Sequence, residues 1–271
     1  MTQAKGTALI TGASTGIGAI YADRLAKRGY DLILVARNKQ RLGTLARRLA
    51  TNTGRKVETL EADLTAPADL QRVETLLRIH DGISVLVNNA GIGAADPLVV
   101  SDVGKMEDMI RLNVTALMRL TYAAVPGFVA RGNGTIINIS SVVAIAPEVL
   151  NGVYGGTKAF VLAFSQSLVH ELADKGIRVQ AVLPGATATE FWDVAGKPVH
   201  ELPAQIVMSA DDMVDAALAG LDLGETVTIP SLADKAEWDR HETARLAMSS
   251  KLSSAIPAPR YNLHRHESVS A

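Results

Sequence analysis

Tyr154 and Lys158 stand four residues apart in the stretch GVYGGTKAF, and Ser141 precedes them in NISSVVAI. On a helix this spacing puts the phenol and the ammonium on one face, one turn apart. A phenol is a weak acid, with an ordinary pKa near ~10. An ammonium held beside it favours the phenolate and brings that value down. Such a pair can hand a proton to a developing alkoxide, or take one from an alcohol, near neutral pH. Ser141 adds a hydroxyl suited to holding the substrate oxygen. Together they make a carbonyl/alcohol redox site, provided that a hydride source binds beside them. Alone, Tyr-x-x-x-Lys is more often an aromatic and a lysine on a solvated helix face. The surrounding elements decide between the two readings.

Residues 8–10 are an apolar run, TGASTGIG follows, and residues 17–27 have helical periodicity. A strand, a glycine-rich turn and a helix in that order form a phosphate cradle. Gly12, Gly16 and Gly18 permit the tight turn and close approach to a pyrophosphate, and the helix N-terminus offers free N–H groups. A second strand, residues 32–35, ends at Ala36-Arg37-Asn38. An acid at that strand end would bind the ribose 2′-hydroxyl of NAD, whereas an arginine accommodates the 2′-phosphate of NADP. No acid is there, and Arg37 is, so the expected cofactor is NADP(H) in preference to NAD(H). Further strands are expected at residues 57–60, 83–87, 135–139, 177–183 and 227–229. Helices are expected at 38–50, 67–79, 152–175 and within 202–221. Residues 102–131 read as one long helical region with a kink at Pro126. Alternation of this kind implies a parallel sheet covered on both faces, with ligands beyond the carboxyl ends of its strands.

Two segments break the rhythm. Residues 186–203 leave a strand end and contain Phe191, Trp192 and Gly196. They read as a lid over the substrate, mobile until ligand gives the two aromatics something to pack on. Residues 233–252 read as an exposed helix, and the remainder to 271 as extended or disordered. One domain is therefore expected over residues 1–232, with a C-terminal extension at 233–271.

The bulk properties exclude several classes. The chain has 271 residues, 48% of them apolar, enough for one large core. A net charge of -1 gives no reason to expect nucleic-acid binding. The absence of cysteine leaves no disulfide or thiolate metal site and fits a reducing cytoplasm. No secretory leader and no run of about 18 apolar residues is evident, so no membrane span is expected. His264 and His266 lie in a polar tail and read as solvent-exposed, with no metal role.

Taken in order, TGASTGIG at 11–18, Asp63-Leu64, NNAG at 88–91, Asn113, Ser141, Tyr154-x-x-x-Lys158 and Pro184-Gly185 with Thr187 make the chain resemble the short-chain dehydrogenase/reductase family. The resemblance spans residues 5–230. It implies an α/β, Rossmann-like doubly wound parallel sheet of about seven strands with helices on both faces. It implies Tyr154 as general acid/base, Lys158 lowering its pKa and holding the nicotinamide ribose, and Ser141 orienting the carbonyl. Asn113 would fix a water that extends a proton relay from Lys158. Gly12, Ser14, Thr15, Gly16, Ile17 and Gly18 would form the cofactor turn. Asp63 and Leu64 would lie by the adenine, and Asn89, Ala90 and Gly91 by the ribose and crevice. Pro184, Gly185 and Thr187 would lie by the nicotinamide. Some NADP-preferring members carry a basic residue inside the glycine turn, and Ala13-Ser14-Thr15 lack one. The resemblance also implies a homodimer or homotetramer paired through helix 152–175 and the 102–131 region. Small and aliphatic residues near the site, Val142, Val143, Ala144, Leu150 and Val153, point to an apolar substrate.

Two other readings compete. A cofactor-binding regulatory protein would keep the fold without turnover, but it has no need of Asn113, Ser141, Tyr154 and Lys158 together. A sugar-nucleotide epimerase or dehydratase also uses Tyr-x-x-x-Lys, but those chains resemble this one less, being longer and usually carrying G-x-x-G-x-x-G.

Overall fold

The computed structural model describes residues 5–263. The described residues divide into two compact units, with the boundary between Ser231 and Leu232. The first is built on the parallel strands β1 (Thr7–Thr11), β2 (Asp31–Ala36), β3 (Val57–Glu61), β4 (Ile83–Asn88), β5 (Gly134–Ile139), β6 (Ile177–Val182) and β9 (Val227–Thr228). Their order in the sheet is β3-β2-β1-β4-β5-β6-β9.

The period-2 alternation of the strands explains the two-sided covering. Ala8 and Ile10 of β1, Leu32 and Leu34 of β2 and Val85 and Val87 of β4 enter one core. There they meet α1 (Gly16–Lys27), α2 (Lys39–Thr53) and α8 (Ala210–Asp222). The intervening Leu9, Ile33 and Leu86 enter the opposite core. That core is closed by α3 (Pro67–Ile79), α5 (Leu117–Arg131) and α6 (Gly152–Glu171). The chain runs outward through β2 and β3 and then returns to place β4 beside β1. That reversal opens a crevice at the carboxyl ends of β1 and β4, where such folds bind ligands.

The region 102–131 differs from expectation. It is three segments: α4 (Val103–Ile110), a π-helical turn (Arg111–Ala116) and α5, which continues through Pro126. The break falls at the π-turn and not at the proline. An inserted π-turn rotates the residues it carries relative to a continuous α-helix, and such turns recur at functional sites.

The segment after β6 is also more ordered than expected. Thr187–Ala188 (β7) pair in parallel with Met208–Ser209 (β8), which pins both ends of the excursion and extends it past Pro203 to Val207. Within it lies the short helix α7 (Phe191–Val194). Trp192 is only 8% exposed and its indole N–H donates to the carbonyl of Thr187 at 3.0 Å. Phe191 meets Trp192 edge-on and lies 5.7 Å from the Tyr154 ring. Both aromatics therefore have packing partners within the protein, and the expectation that they lack them is corrected.

The second unit contains α9 (Lys235–Ser249), capped by Asp234, in which Trp238 stacks on His241. A 3-10 turn follows at Pro259–Tyr261. His264 and His266 lie outside the described residues. Among the described residues no helix is long and apolar enough to cross a membrane.

Candidate active site

A cavity of about 1160 Å³ lies along the carboxyl edge of the sheet. A pocket for one small ligand spans roughly 300–1,000 Å³, so this one has room for a dinucleotide and a second molecule. Gly12, Ser14, Thr15, Gly16 and Ile17 line it, as do Arg37, Asp63, Leu64, Asn89, Ala90 and Gly91. So do Ser141, Tyr154, Lys158, Pro184, Gly185 and Thr187. Of the expected site residues, Gly18 and Asn113 are absent from the lining; both stand behind it.

Gly18 is required by close approach. A Cβ there would lie 2.4 Å from the carbonyl oxygen of Gly12, which itself sits at φ +65°. The turn thus folds back against the first turn of α1. Thr15, at the N-cap of α1, makes no side-chain capping bond, and the first turn carries no acid. By contrast α2, α4, α6, α8 and α9 are capped by Asn38, Asp102, Asn151, Ser209 and Asp234. The uncapped N–H groups of α1 beside the cavity fit a pyrophosphate, which would satisfy them.

Asn89 has a structural task beyond lining. Its amide donates to the carbonyls of Thr11 and Gly12 at 2.9 and 3.2 Å, tying the end of β4 to the glycine turn. Asp63 accepts from the backbone and hydroxyl of Thr65 at 2.9 and 2.7 Å. Burial pushes its carboxyl up, but those bonds and the Arg37 charge outweigh burial and hold it below the usual value. Arg37 is exposed and makes no hydrogen bond or ion pair among the described residues, so its guanidinium fork is available. Arg41 is engaged with Glu190 at 2.7 Å, and Lys39 lies 3.9 Å from Glu61.

At the other end of the cavity, α6 delivers Tyr154 and Lys158, each 6% exposed. Asn151 caps this helix by accepting from the N–H groups of Val153 and Tyr154, and its amide donates to Asp96 O and Ser101 Oγ. The end of β5 is fixed to α6 by the Ser140 hydroxyl, which donates to the Lys158 carbonyl at 2.8 Å. Lys158 Nζ donates to Ile139 O at 2.9 Å and lies 5.7 Å from the centre of the Tyr154 ring. Ser141 Oγ donates to Pro184 O at 3.3 Å. Asn113, from the π-turn, is buried; it exchanges hydrogen bonds with the backbone of Ile92 and donates to Thr157 Oγ1 at 3.1 Å. A Cβ on Gly91 would lie 3.1 Å from Asn113 Oδ1 and 3.6 Å from Lys158 Nζ, so all three meet at the back of the cavity.

The electrostatics correct one expectation. Burial pushes the Tyr154 phenol up to about 12, with the nearby Ser141 hydroxyl pulling weakly the other way. Burial also brings the Lys158 ammonium down to about 8. The lysine was expected to bring the phenol below its ordinary value, but burial dominates: it disfavours both charged forms, and Nζ is turned to a backbone carbonyl beside the ring. A phenol held at about 12 is protonated at neutral pH.

Sequence reasoning missed the support beneath these groups. Asn88 donates to Thr121 Oγ1 and Asn138 Oδ1, and Asn138 donates to Ser165 Oγ, joining β4, β5, α5 and α6 by side chains that are fully or almost fully buried. The signal was present: single asparagines inside the apolar runs VLVNN and IINI need buried partners. Of the aliphatic residues expected around the substrate, Val142, Val143 and Leu150 line the cavity. Ala144 and Val153 do not; Val153 packs in the small cluster around Tyr154. Val149, Phe191, Val194, Leu202 and Ile206 join the apolar wall instead.

Comparison with known proteins agrees with this geometry. Residues 6–198 match the family model of the short chain dehydrogenases. A short-chain dehydrogenase from Sphingobium yanoikuyae in complex with NADPH superposes with a TM-score of 0.92 at 52% identity, over 94% of this chain and 99% of that one. A bulky-bulky ketone specific alcohol dehydrogenase from Comamonas testosteroni superposes at 0.88 with 45% identity, over 96% and 99%. The 17-beta-hydroxysteroid dehydrogenase type 3 of Danio rerio is 33% identical over 80% of this chain, which spans 70% of its length. The chain also aligns, at 36% identity over 72% of its residues, with 62% of the very-long-chain 3-oxoacyl-CoA reductase-A of the same organism. The chain belongs to the short chain dehydrogenase family. It is an NAD(P)-dependent oxidoreductase that transfers a hydride between a nicotinamide cofactor and a carbonyl or alcohol group. The regulatory and sugar-nucleotide alternatives are not favoured.

Proposed function

We propose that this protein reduces bulky, apolar ketones with NADPH. The observation that carries the reading is the junction, in one cavity, of an anion-binding half at Thr15–Ile17 and Arg37 with an apolar half around Tyr154. A bound reduced nicotinamide supplies the hydride. Ser141 holds the carbonyl oxygen, and Tyr154, protonated in its buried setting, gives that oxygen a proton as negative charge develops. Lys158, mostly charged at neutral pH, favours the phenolate left behind. Asn113, held by Ile92 and Thr157, supports a relay that returns a proton to the tyrosine. Val142, Val149, Val194 and Ile206 offer apolar surface on several sides of the reacting carbon, which supports a ketone with two large substituents. The Comamonas relative, named for such ketones, supports the same class.

Two further statements belong to this proposal. The protein pairs with copies of itself through α5 and α6. It works in the cytoplasm, on the ground of its cysteine-free composition.

The test is NADPH oxidation with ketones bearing two small, one large or two large apolar substituents. The expected kcat/KM rises with the second large group; equal values across the series refute the substrate class. Tyr154→Phe is expected to lower turnover about 10²–10⁴-fold with the fold intact. Turnover within about threefold of wild type removes Tyr154 from the acid/base role.

A further inference from the structure

Arg41 stands in the first turn of α2, just after β2, and Glu190 stands in the segment after β6, eight residues beyond its end and just past β7. Their side chains meet at 2.7 Å. In the sheet, β2 and β6 are separated by β1, β4 and β5. Four strand spacings of about 4.8 Å put those strand ends roughly 19 Å apart. A bond between α2 and the segment after β6 must therefore cross above the carboxyl ends of β1, β4 and β5. Those ends carry the glycine turn, the NNAG turn and Ser141. Both partners line the cavity they span.

Two further observations place the crossing over the cofactor half. Thr189, next to Glu190, lies so close to Gly16 that a Cβ on the glycine would come within 3.1 Å of its methyl group. Glu190 also occupies the N-cap of α7 yet makes no capping bond, because its carboxylate is turned across the opening to Arg41. Phe191, the next residue, reaches the Tyr154 ring.

We propose that Arg41 and Glu190 form a clasp that holds the segment after β6 over the bound dinucleotide and sets the rate at which cofactor leaves. Arg37 then reads the 2′-phosphate, while Arg41 is committed to Glu190, so the clasp acts on NADPH and NADH alike. The clasp rests on the cofactor reading above, and the two can fail separately: equilibrium titration of wild-type protein with NADPH tests the reading, and release rates test the clasp. Both partners are half-exposed, with side chains 48% and 59% accessible, so their replacement leaves the core untouched. Exposed pairs are worth about 0.2–1 kcal/mol, which converts to roughly 1.4- to fivefold in rate.

The experiment is stopped-flow release of NADPH and of NADH, followed by nicotinamide fluorescence, in wild type, Glu190→Gln and Arg41→Gln. Both variants are expected to release both cofactors about 1.4- to fivefold faster, by the same factor. Added salt should speed release of NADH more in wild type than in Glu190→Gln, because the variant lacks the Arg41–Glu190 pair to screen. The reversed pair, Arg41→Glu with Glu190→Arg, should restore slow release of NADH. Unchanged rates in both single variants overturn the clasp. So does an Arg41→Gln effect confined to NADPH, which would make Arg41 a phosphate reader.

Discussion

On the proposed NADPH reading, cofactor choice turns on Arg37. It stands where an acid would bind a ribose hydroxyl, and it makes no hydrogen bond or ion pair among the described residues. A charge-assisted hydrogen bond contributes roughly 1.5–3 kcal/mol, or about ten- to a hundredfold in affinity. Arg37→Ala should weaken NADPH by about that factor and hardly change NADH, as read by fluorescence titration; equal losses refute the assignment. Lys158 gives a second prediction, in pH. Its buried ammonium titrates at about 8, against an ordinary value near 10.5. Between those values the unfolded chain holds more protons than the folded one, so this group makes stability rise with pH from about 8 to about 10.5. Replacing it by Met removes a charge that is costly to bury at low pH and costs nothing once neutral. Lys158→Met should therefore gain stability over wild type below about pH 8, with the gain shrinking towards pH 10 in urea melts. A pH-independent difference would show that burial does not perturb this lysine.

Elements hold these residues through contacts that their own sequence only partly announces. Helix α6 is capped by Asn151, which also ties the preceding loop through Asp96 and Ser101. Losing an asparagine cap costs about 0.5–2 kcal/mol. Asn151→Ala should lower the urea midpoint accordingly, and turnover should fall as well, because the cap holds the backbone of Tyr154. An unchanged midpoint would mean that the cap is dispensable. The π-turn at Arg111–Ala116 makes the same point without a cap. An apolar helical pattern over 102–131 is compatible with one continuous helix, and nothing local marks the extra residue. At that turn Asn113 reaches Ile92 and Thr157, both remote in sequence.

For the whole molecule, α5 and α6 present Tyr122, 69% exposed, stacked on Phe164, which stacks in turn on Phe160. Aromatic surface of this kind on two neighbouring helices suits an isologous two-fold contact. Light scattering at micromolar concentration should give a dimer or tetramer, and Tyr122→Lys should shift the mass towards the monomer. A monomeric wild type refutes the pairing.

The sheet, its helices, the glycine turn and the Tyr154–Lys158 pair were legible in the sequence because local signals specify them, and the other cavity residues followed only from the resemblance to the family. Short apolar runs mark the strands, glycine spacing marks the turn, and Tyr154 and Lys158 share a face through helical geometry alone. The tertiary structure decided what depends on distant partners. Burial raised the Tyr154 pKa against the local expectation, since desolvation is set by everything packed around the phenol. Trp192 and Phe191 found seats on Thr187 and Tyr154, so two aromatics that read as unpartnered are packed. Arg41 met Glu190 across three intervening strands, a pairing that no spacing along the chain encodes.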